Sequence, residues 1–87
     1  MENVIESRQA FFNLGPSERL DGWAIRNVDL TDIDFGGRHL EATAVSRAGL
    51  VRSRFGGCRI RGSSFQASSM RGASFRKSQL SEVSFVN

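Results

Sequence analysis

Residues 53–87 read SRFGGCRIRGSSFQASSMRGASFRKSQLSEVSFVN, and Phe55, Ile60, Phe65, Met70, Phe75, Leu80 and Phe85 stand in it at intervals of five. The interval extends backwards through Leu50, Val45, Leu40, Phe35, Leu30, Ile25 and Leu20, which makes fourteen apolar residues in succession. In a chain that is 39% apolar, chance gives such a run in some phase with a probability on the order of 10⁻⁵. Period five suits neither ordinary element, because fifth residues drift around a helix and alternate between the two faces of a strand. The chain must therefore turn at every repeat, so that each fifth side chain (here the centre) returns to one interior.

The residues around each centre have their own pattern. Two places before it, from residue 43 onward, stand Thr43, Ala48, Ser53, Cys58, Ser63, Ser68, Ala73, Ser78 and Val83. These are mostly small, as a second inward position in a tight tube requires. Seven of the nine glycines (Gly22, Gly36, Gly37, Gly56, Gly57, Gly62 and Gly72) fall one or two places after a centre, where a corner needs backbone freedom. No proline lies inside the frame, so no main-chain donor is missing from it.

The order small–x–large apolar–x–x, seen in Ser63-Ser64-Phe65-Gln66-Ala67, Ala73-Ser74-Phe75-Arg76-Lys77 and Cys58-Arg59-Ile60-Arg61-Gly62, resembles the pentapeptide-repeat family. The resemblance covers residues 18–87. It implies an all-β chain folded as a right-handed, four-sided parallel β-helix, with four repeats and twenty residues to a coil and about three and a half coils. Such a coil predicts four ladders. Phe35, Phe55 and Phe75 form one, and Leu20, Leu40, Ile60 and Leu80 another. Ile25, Val45, Phe65 and Phe85 form the third, and Leu30, Leu50 and Met70 the fourth. Phe-Gly-Gly at 35–37 and again at 55–57 supports the twenty-residue coil independently. The phenylalanines are then core, and not free to stack on nucleic-acid bases.

The early repeats depart from this order. Glu18, Trp23, Val28, Ile33 and Arg38 fill the small position with large side chains. Either the first coil is flared or these residues turn outward, with the regular tube beginning near Ala42 and with Trp23 and Ile33 packing on what precedes it. Residues 1–17 form an N-terminal capping helix and turn. The helix is expected over 3–14, with Val4, Ile5, Phe11, Phe12 and Leu14 on its apolar side, Asn3 as its cap and Gly15-Pro16 as its stop. At the other end Phe85 and Val86 lack a cover, so self-association to a homodimer through that end is expected, the competing explanation being that these residues are cut from a longer tube.

Composition narrows the function. No segment approaches the roughly 18–20 apolar residues of a membrane span. Glu2 and Glu6 stand where a signal peptide carries positive charge, and Cys58, the single cysteine, allows no internal disulfide, so a cytoplasmic place is expected. Enzyme readings fail on inventory, and no cofactor or metal is expected. His39 is the single histidine and stands at an outward position. Cys58 is an inward filler, and no base is spaced to activate any serine, whose expected task is hydrogen bonding along the stacked corners. Asp29, Asp32 and Asp34 lack the glycine and glutamate of a calcium loop.

The net charge of +3 divides into −4 over residues 1–45 and +7 over residues 46–87. A rigid tube with a basic C-terminal half reads as a non-catalytic protein–protein interaction or assembly module. Its partner-binding residues are Arg52, Arg54, Arg59, Arg61, Arg71, Arg76 and Lys77. Two alternatives stand beside it. The family resemblance implies a modulator of a type II topoisomerase such as DNA gyrase, of the quinolone-resistance kind, which mimics DNA; that role needs an acidic tube. The arginines suit non-specific binding of nucleic acid or anionic lipid, which is not favoured, because exposed aromatics and a recognition helix are lacking.

Overall fold

The computed structural model describes residues 3–15, 18–66 and 68–86. Pro16, Ala67 and Asn87, on which the expected helix stop, the end of one quoted repeat and the last position of the chain fall, lie outside the described residues. The order of elements is β1 (Val4–Ile5), α1 (Arg8–Phe12), β2 (Ala24–Asp29), β3 (His39–Glu41), β4 (Ala44–Gly49), β5 (Arg59–Arg61), β6 (Ser64–Gln66), β7 (Gln79–Ser81) and β8 (Ser84–Val86).

Every pairing is parallel and offset by twenty residues. Ile25 lies beside Val45, Val45 beside Phe65, and Phe65 beside Phe85, in a sheet ordered β1-β2-β4-β6-β8. A second sheet, β3-β5-β7, aligns Leu40, Ile60 and Leu80. Isolated bridges join Asp34 to Arg54, Arg54 to Ser74, and Gly49 to Ser69, which carries the other two ladders. The result is a parallel β-solenoid of about four turns. All centres from Leu20 to Phe65 are buried. The Phe35 and Phe55 rings stack at 4.4 Å, Phe55 and Phe75 at 4.8 Å, and Phe65 and Phe85 at 5.2 Å.

The backbone repeats too. Every described residue two places after a centre, from Gly22 to Glu82, has a positive φ. Seven of these are not glycine: Asn27, Asp32, Ala42, Arg47, Arg52, Lys77 and Glu82. A left-handed residue after each centre turns the chain. Several turns are closed by a bond from the third residue after the centre to the centre's carbonyl, as from Ser53 N to Leu50 O at 3.1 Å.

The small inward residues do more than fill space. The hydroxyls of Thr43, Ser53 and Ser63 donate to the carbonyls of Leu20, Leu30 and Leu40 at 2.6, 2.8 and 2.7 Å. Cys58 Sγ donates to Phe35 O at 3.1 Å, and Ser78 Oγ to Phe55 O. Each bond spans 23 residues, from one turn to the centre of the preceding repeat in the turn below. Carbonyls at the corners are thereby satisfied inside the tube.

This rule explains the large residues of the early repeats. Val28, Ile33 and Arg38 point inward and are buried, which corrects the outward alternative; Trp23 is half-buried and Glu18 exposed. Arg38 obeys the same offset: its Nη1 donates to Gly15 O at 3.1 Å, and also to Glu18 O at 3.0 Å. Its guanidinium lies 5.0 Å from the centre of the Phe11 ring. Below these positions lies the N-terminal segment rather than another tight turn, so there is room for bulk.

Regular stacking therefore starts well before Ala42. Ile5 pairs with Ile25 and is itself a centre, one turn earlier in the frame. The expected helix over 3–14 is corrected accordingly. Val4 and Ile5 are extended, because they complete the edge of β2, and the helix is limited to Arg8–Phe12. Its N-cap is Ser7, whose hydroxyl accepts from Ala10 N at 3.1 Å, not Asn3. Phe11 seats edge-on against Phe35 at 4.9 Å, and Arg8 Nη1 donates to Asp29 O and Thr31 O.

Candidate interaction surface

A solenoid sorts its side chains by position. Centres and the residues two before them face inward, and the residues on either side of each centre face outward, one turn above another. The seven basic residues singled out in the sequence therefore stay at the surface, but on different ladders. Arg59 and Arg61 project from β5 on either side of Ile60. Arg54 and Arg76 flank the Phe ladder, Arg71 follows Met70, and Arg52 and Lys77 occupy left-handed corners.

Their electrostatic surroundings differ more than their positions. Asp32 and Asp34 lie twenty residues before Arg52 and Arg54, so the stacking brings acid onto base. Arg52 Nε and Nη2 donate to the two carboxylate oxygens of Asp32 at 2.8 and 3.1 Å, and Arg54 lies 3.8 Å from Asp34. Arg61 stands 3.8 Å from Glu82. Among the described residues, Arg59, Arg71, Arg76 and Lys77 form no ion pair. The acidic and basic halves thus neutralise each other where they stack, and the free positive charge sits further along the tube.

The acidic side is tuned by the same contacts. The Thr31 hydroxyl and backbone N–H, at 2.6 and 3.0 Å, hold the Asp29 carboxyl below its ordinary value of 3.8. The hydrogen-bonded Arg52 guanidinium does the same for Asp32. At Asp21 burial pulls upward, but the Glu41 N–H and Arg19 outweigh it and the carboxyl is lowered. Carboxyls depressed in the folded state stabilise it fully above the ordinary value of 3.8, and that contribution is lost as pH falls through the lower folded values. The urea midpoint is therefore expected to drop as pH falls below about 4. Asp32→Asn should flatten part of that drop, as a denaturation series across pH will measure.

Other residues separate cleanly. Burial raises the Cys58 thiol, which stays protonated against Phe35 O and faces the interior. His39 is half-buried on β3. With Arg19 and Glu41 it rims a shallow groove of about 410 Å³ over β5, where Arg59 and Arg61 stand. Sequence reasoning missed Arg19 and Glu41 here, and the signal was present: both flank centres of the Leu40 ladder. Asp32 and Asp34 each face an arginine, and Asp29 accepts from Thr31. At the last described turn, Leu80, Phe85 and Val86 are exposed, Phe85 by 52%. Phe65, Met70, Phe85 and Val86 there border a second hollow of about 230 Å³. Among the described residues no helix is long and apolar enough to cross a membrane.

Residues 48–87 match a family model described as pentapeptide repeats, in eight copies. The matched stretch begins at Ala48, the small inward residue two places before Leu50. No curated protein matches the chain in sequence.

Proposed function

We propose, from the pentapeptide-repeat model matched over residues 48–87 and the parallel solenoid that carries the same frame before them, that the chain is a pentapeptide-repeat protein working as a non-catalytic interaction or assembly module of the cytoplasm. The observation that carries the reading is the outward, unpaired positive charge of Arg59, Arg71, Arg76 and Lys77, spread over three ladders of one solenoid. Charge held at fixed spacing on a stiff frame selects a partner by complementarity, with little ordering entropy lost on docking. The net charge of +7 over residues 46–87 argues against mimicry of DNA, which needs acid in that place.

The last turn adds an assembly end. β7 and β8 each pair on one side only among the described strands, and Leu80, Phe85 and Val86 are exposed beside those edges. A second copy of the same end offers both unpaired strands and apolar surface, so one contact satisfies both needs. Light scattering across a dilution series is expected to show a dimer that Phe85→Arg dissociates; a particle that stays monomeric at high concentration removes this part of the reading. The partner face is tested by affinity capture from a nuclease-treated lysate, with Arg59→Glu/Arg61→Glu/Arg71→Glu as control. A stoichiometric protein retained by the native chain and lost by the variant supports the module, and equal retention by both refutes it.

A further inference from the structure

The solenoid contains its own example of how its arginines recognise acid. Asp32-Ile33-Asp34 and Arg52-Ser53-Arg54 lie one turn apart, each with its middle residue buried and its outer two exposed. The outer pairs meet, Arg52 with Asp32 through two hydrogen bonds and Arg54 with Asp34 at 3.8 Å. Two arginines at alternate positions thus face two carboxylates at alternate positions on a parallel run of chain.

Arg59-Ile60-Arg61 repeats the arginine half of that arrangement without the acidic half. Ile60 is buried and both arginines are exposed. The residues in register with them are His39 and Glu41 on β3, and Gln79 and Ser81 on β7. Neither flanking strand supplies a pair of carboxylates. Among the described residues Arg59 has no ion pair, and Arg61 reaches Glu82 at 3.8 Å, where exposed pairs contribute little. The groove of about 410 Å³ over these residues has room for side chains from outside.

We propose that Arg59 and Arg61 form a docking strip for an extended acidic segment of a partner protein, with Asp or Glu at two alternate positions. The proposal deepens the interaction-module reading and rests on it. An extended chain presents alternate side chains on one side about 6.6 Å apart, which is the spacing of two arginines flanking one residue on β5. The guanidinium fork matches a carboxylate with two parallel hydrogen bonds, as Arg52 does with Asp32. Gln79 and Ser81 add neutral polar groups beside the strip. Glu41 and Glu82 flank it, so a short acidic run fits where a long continuous polyanion such as duplex DNA meets repulsion. The chain has one pair of acids at alternate positions, Asp32 and Asp34, already held by Arg52 and Arg54, so a second copy brings no free pair.

The test is fluorescence polarisation with a dye-labelled, end-blocked peptide, Thr-Asp-Val-Asp-Val-Thr, against its isomer Thr-Val-Asp-Asp-Val-Thr, at low salt. The alternating peptide should bind several-fold tighter than the isomer. Arg59→Gln/Arg61→Gln should weaken it by about tenfold, the sum of two exposed charged contacts. Arg59→Lys/Arg61→Lys should fall between, since it keeps the charge and loses the fork. Arg47→Gln, at an exposed arginine outside the strip and outside the partner-binding set, should change the affinity little. Circular dichroism confirms that each variant is folded. Equal binding of the two peptides, or indifference to the Arg59 and Arg61 changes, overturns the proposal. So does duplex DNA binding more tightly through the same two arginines, or a dimer that those changes dissociate. A lysate partner retained by the native chain but not displaced by the peptide refutes the acidic strip and leaves the module standing.

Discussion

Replacing Phe55 with alanine is expected to remove about 3–5 kcal/mol of folding stability. Phe55 is buried in the middle of its ladder, stacked on Phe35 and Phe75 with ring planes within 8° and 7° of parallel, and it meets Phe65 edge-on at 6.2 Å. Removing its ring empties a site that the turns above and below cannot close, because their spacing is set by backbone hydrogen bonds. Domains of this size have a total stability of roughly 4–13 kcal/mol, so the variant stands near the limit of folding. Phe55→Leu keeps most of the volume and should cost less than about 2 kcal/mol. Phe75→Ala, at a half-buried ring, should cost less than Phe55→Ala, and Phe85→Ala less still in a dilute monomer. Urea denaturation followed by circular dichroism gives the order. If Phe85→Ala costs as much as Phe55→Ala, Phe85 is buried in an assembly under those conditions. If Phe55→Ala costs under about 1 kcal/mol, the ladder is not the source of stability.

The centres are legible in the sequence because a chain that turns every five residues buries every fifth side chain, and burial selects apolar residues directly. Twenty-residue spacing alone then places Phe35, Phe55 and Phe75 in one stack. The first turn is harder. Val4 and Ile5 fit the apolar side of a short helix as well as a strand, and the two residues are extended only because β2 offers them an edge. The frame does hold the clue, since Ile5 stands twenty residues before Ile25. The residues two before each centre announce themselves by size, while their chemistry is as informative. Thr43, Ser53, Cys58 and Ser63 can each donate to a carbonyl 23 residues back, and Arg38 does the same with a longer arm.

The surface divides in the same way. Counting charge by halves of the chain gives the correct sign but hides the stacking that sets Asp32 against Arg52 and Asp34 against Arg54. The same twenty-residue offset that predicts the core ladders predicts those pairs. It also shows that Arg59 follows His39, and Arg61 follows Glu41, with no second acid. What no spacing reveals is the depth of the groove beside them, which depends on how far each side chain leans along the tube.

Deleting Ser46 alone should abolish cooperative folding of the turns that follow, whereas duplicating residues 46–65 should leave the fold intact and strengthen it. Ser46 lies on β4, paired with Arg26 on one side and Gln66 on the other. Without it the chain has two courses. A shift of frame exchanges inward and outward positions, turning the eight centres from Leu50 to Phe85 away from the interior, the buried Leu50, Phe55, Ile60 and Phe65 among them, and turning arginines inward in their place. A shortened run instead breaks the pairing of β4 with both neighbours. Each fully buried centre contributes about 1.5–3 kcal/mol, so losing several of them exceeds what a domain of this size holds in reserve. The duplication behaves oppositely. It joins Phe65 to a second Ser46, as Val45 is joined now, and inserts a whole turn with its four centres, its corners and its inward hydroxyls in register. Nearest-neighbour stacking then adds one more interface of the kind already present. Each net kcal/mol gained should raise the thermal midpoint by about 4–8 °C. Circular dichroism melts of the three chains decide the matter. A Ser46 deletion that melts cooperatively near the native midpoint, or a duplication that melts well below it, shows that twenty-residue register is not what holds this tube together.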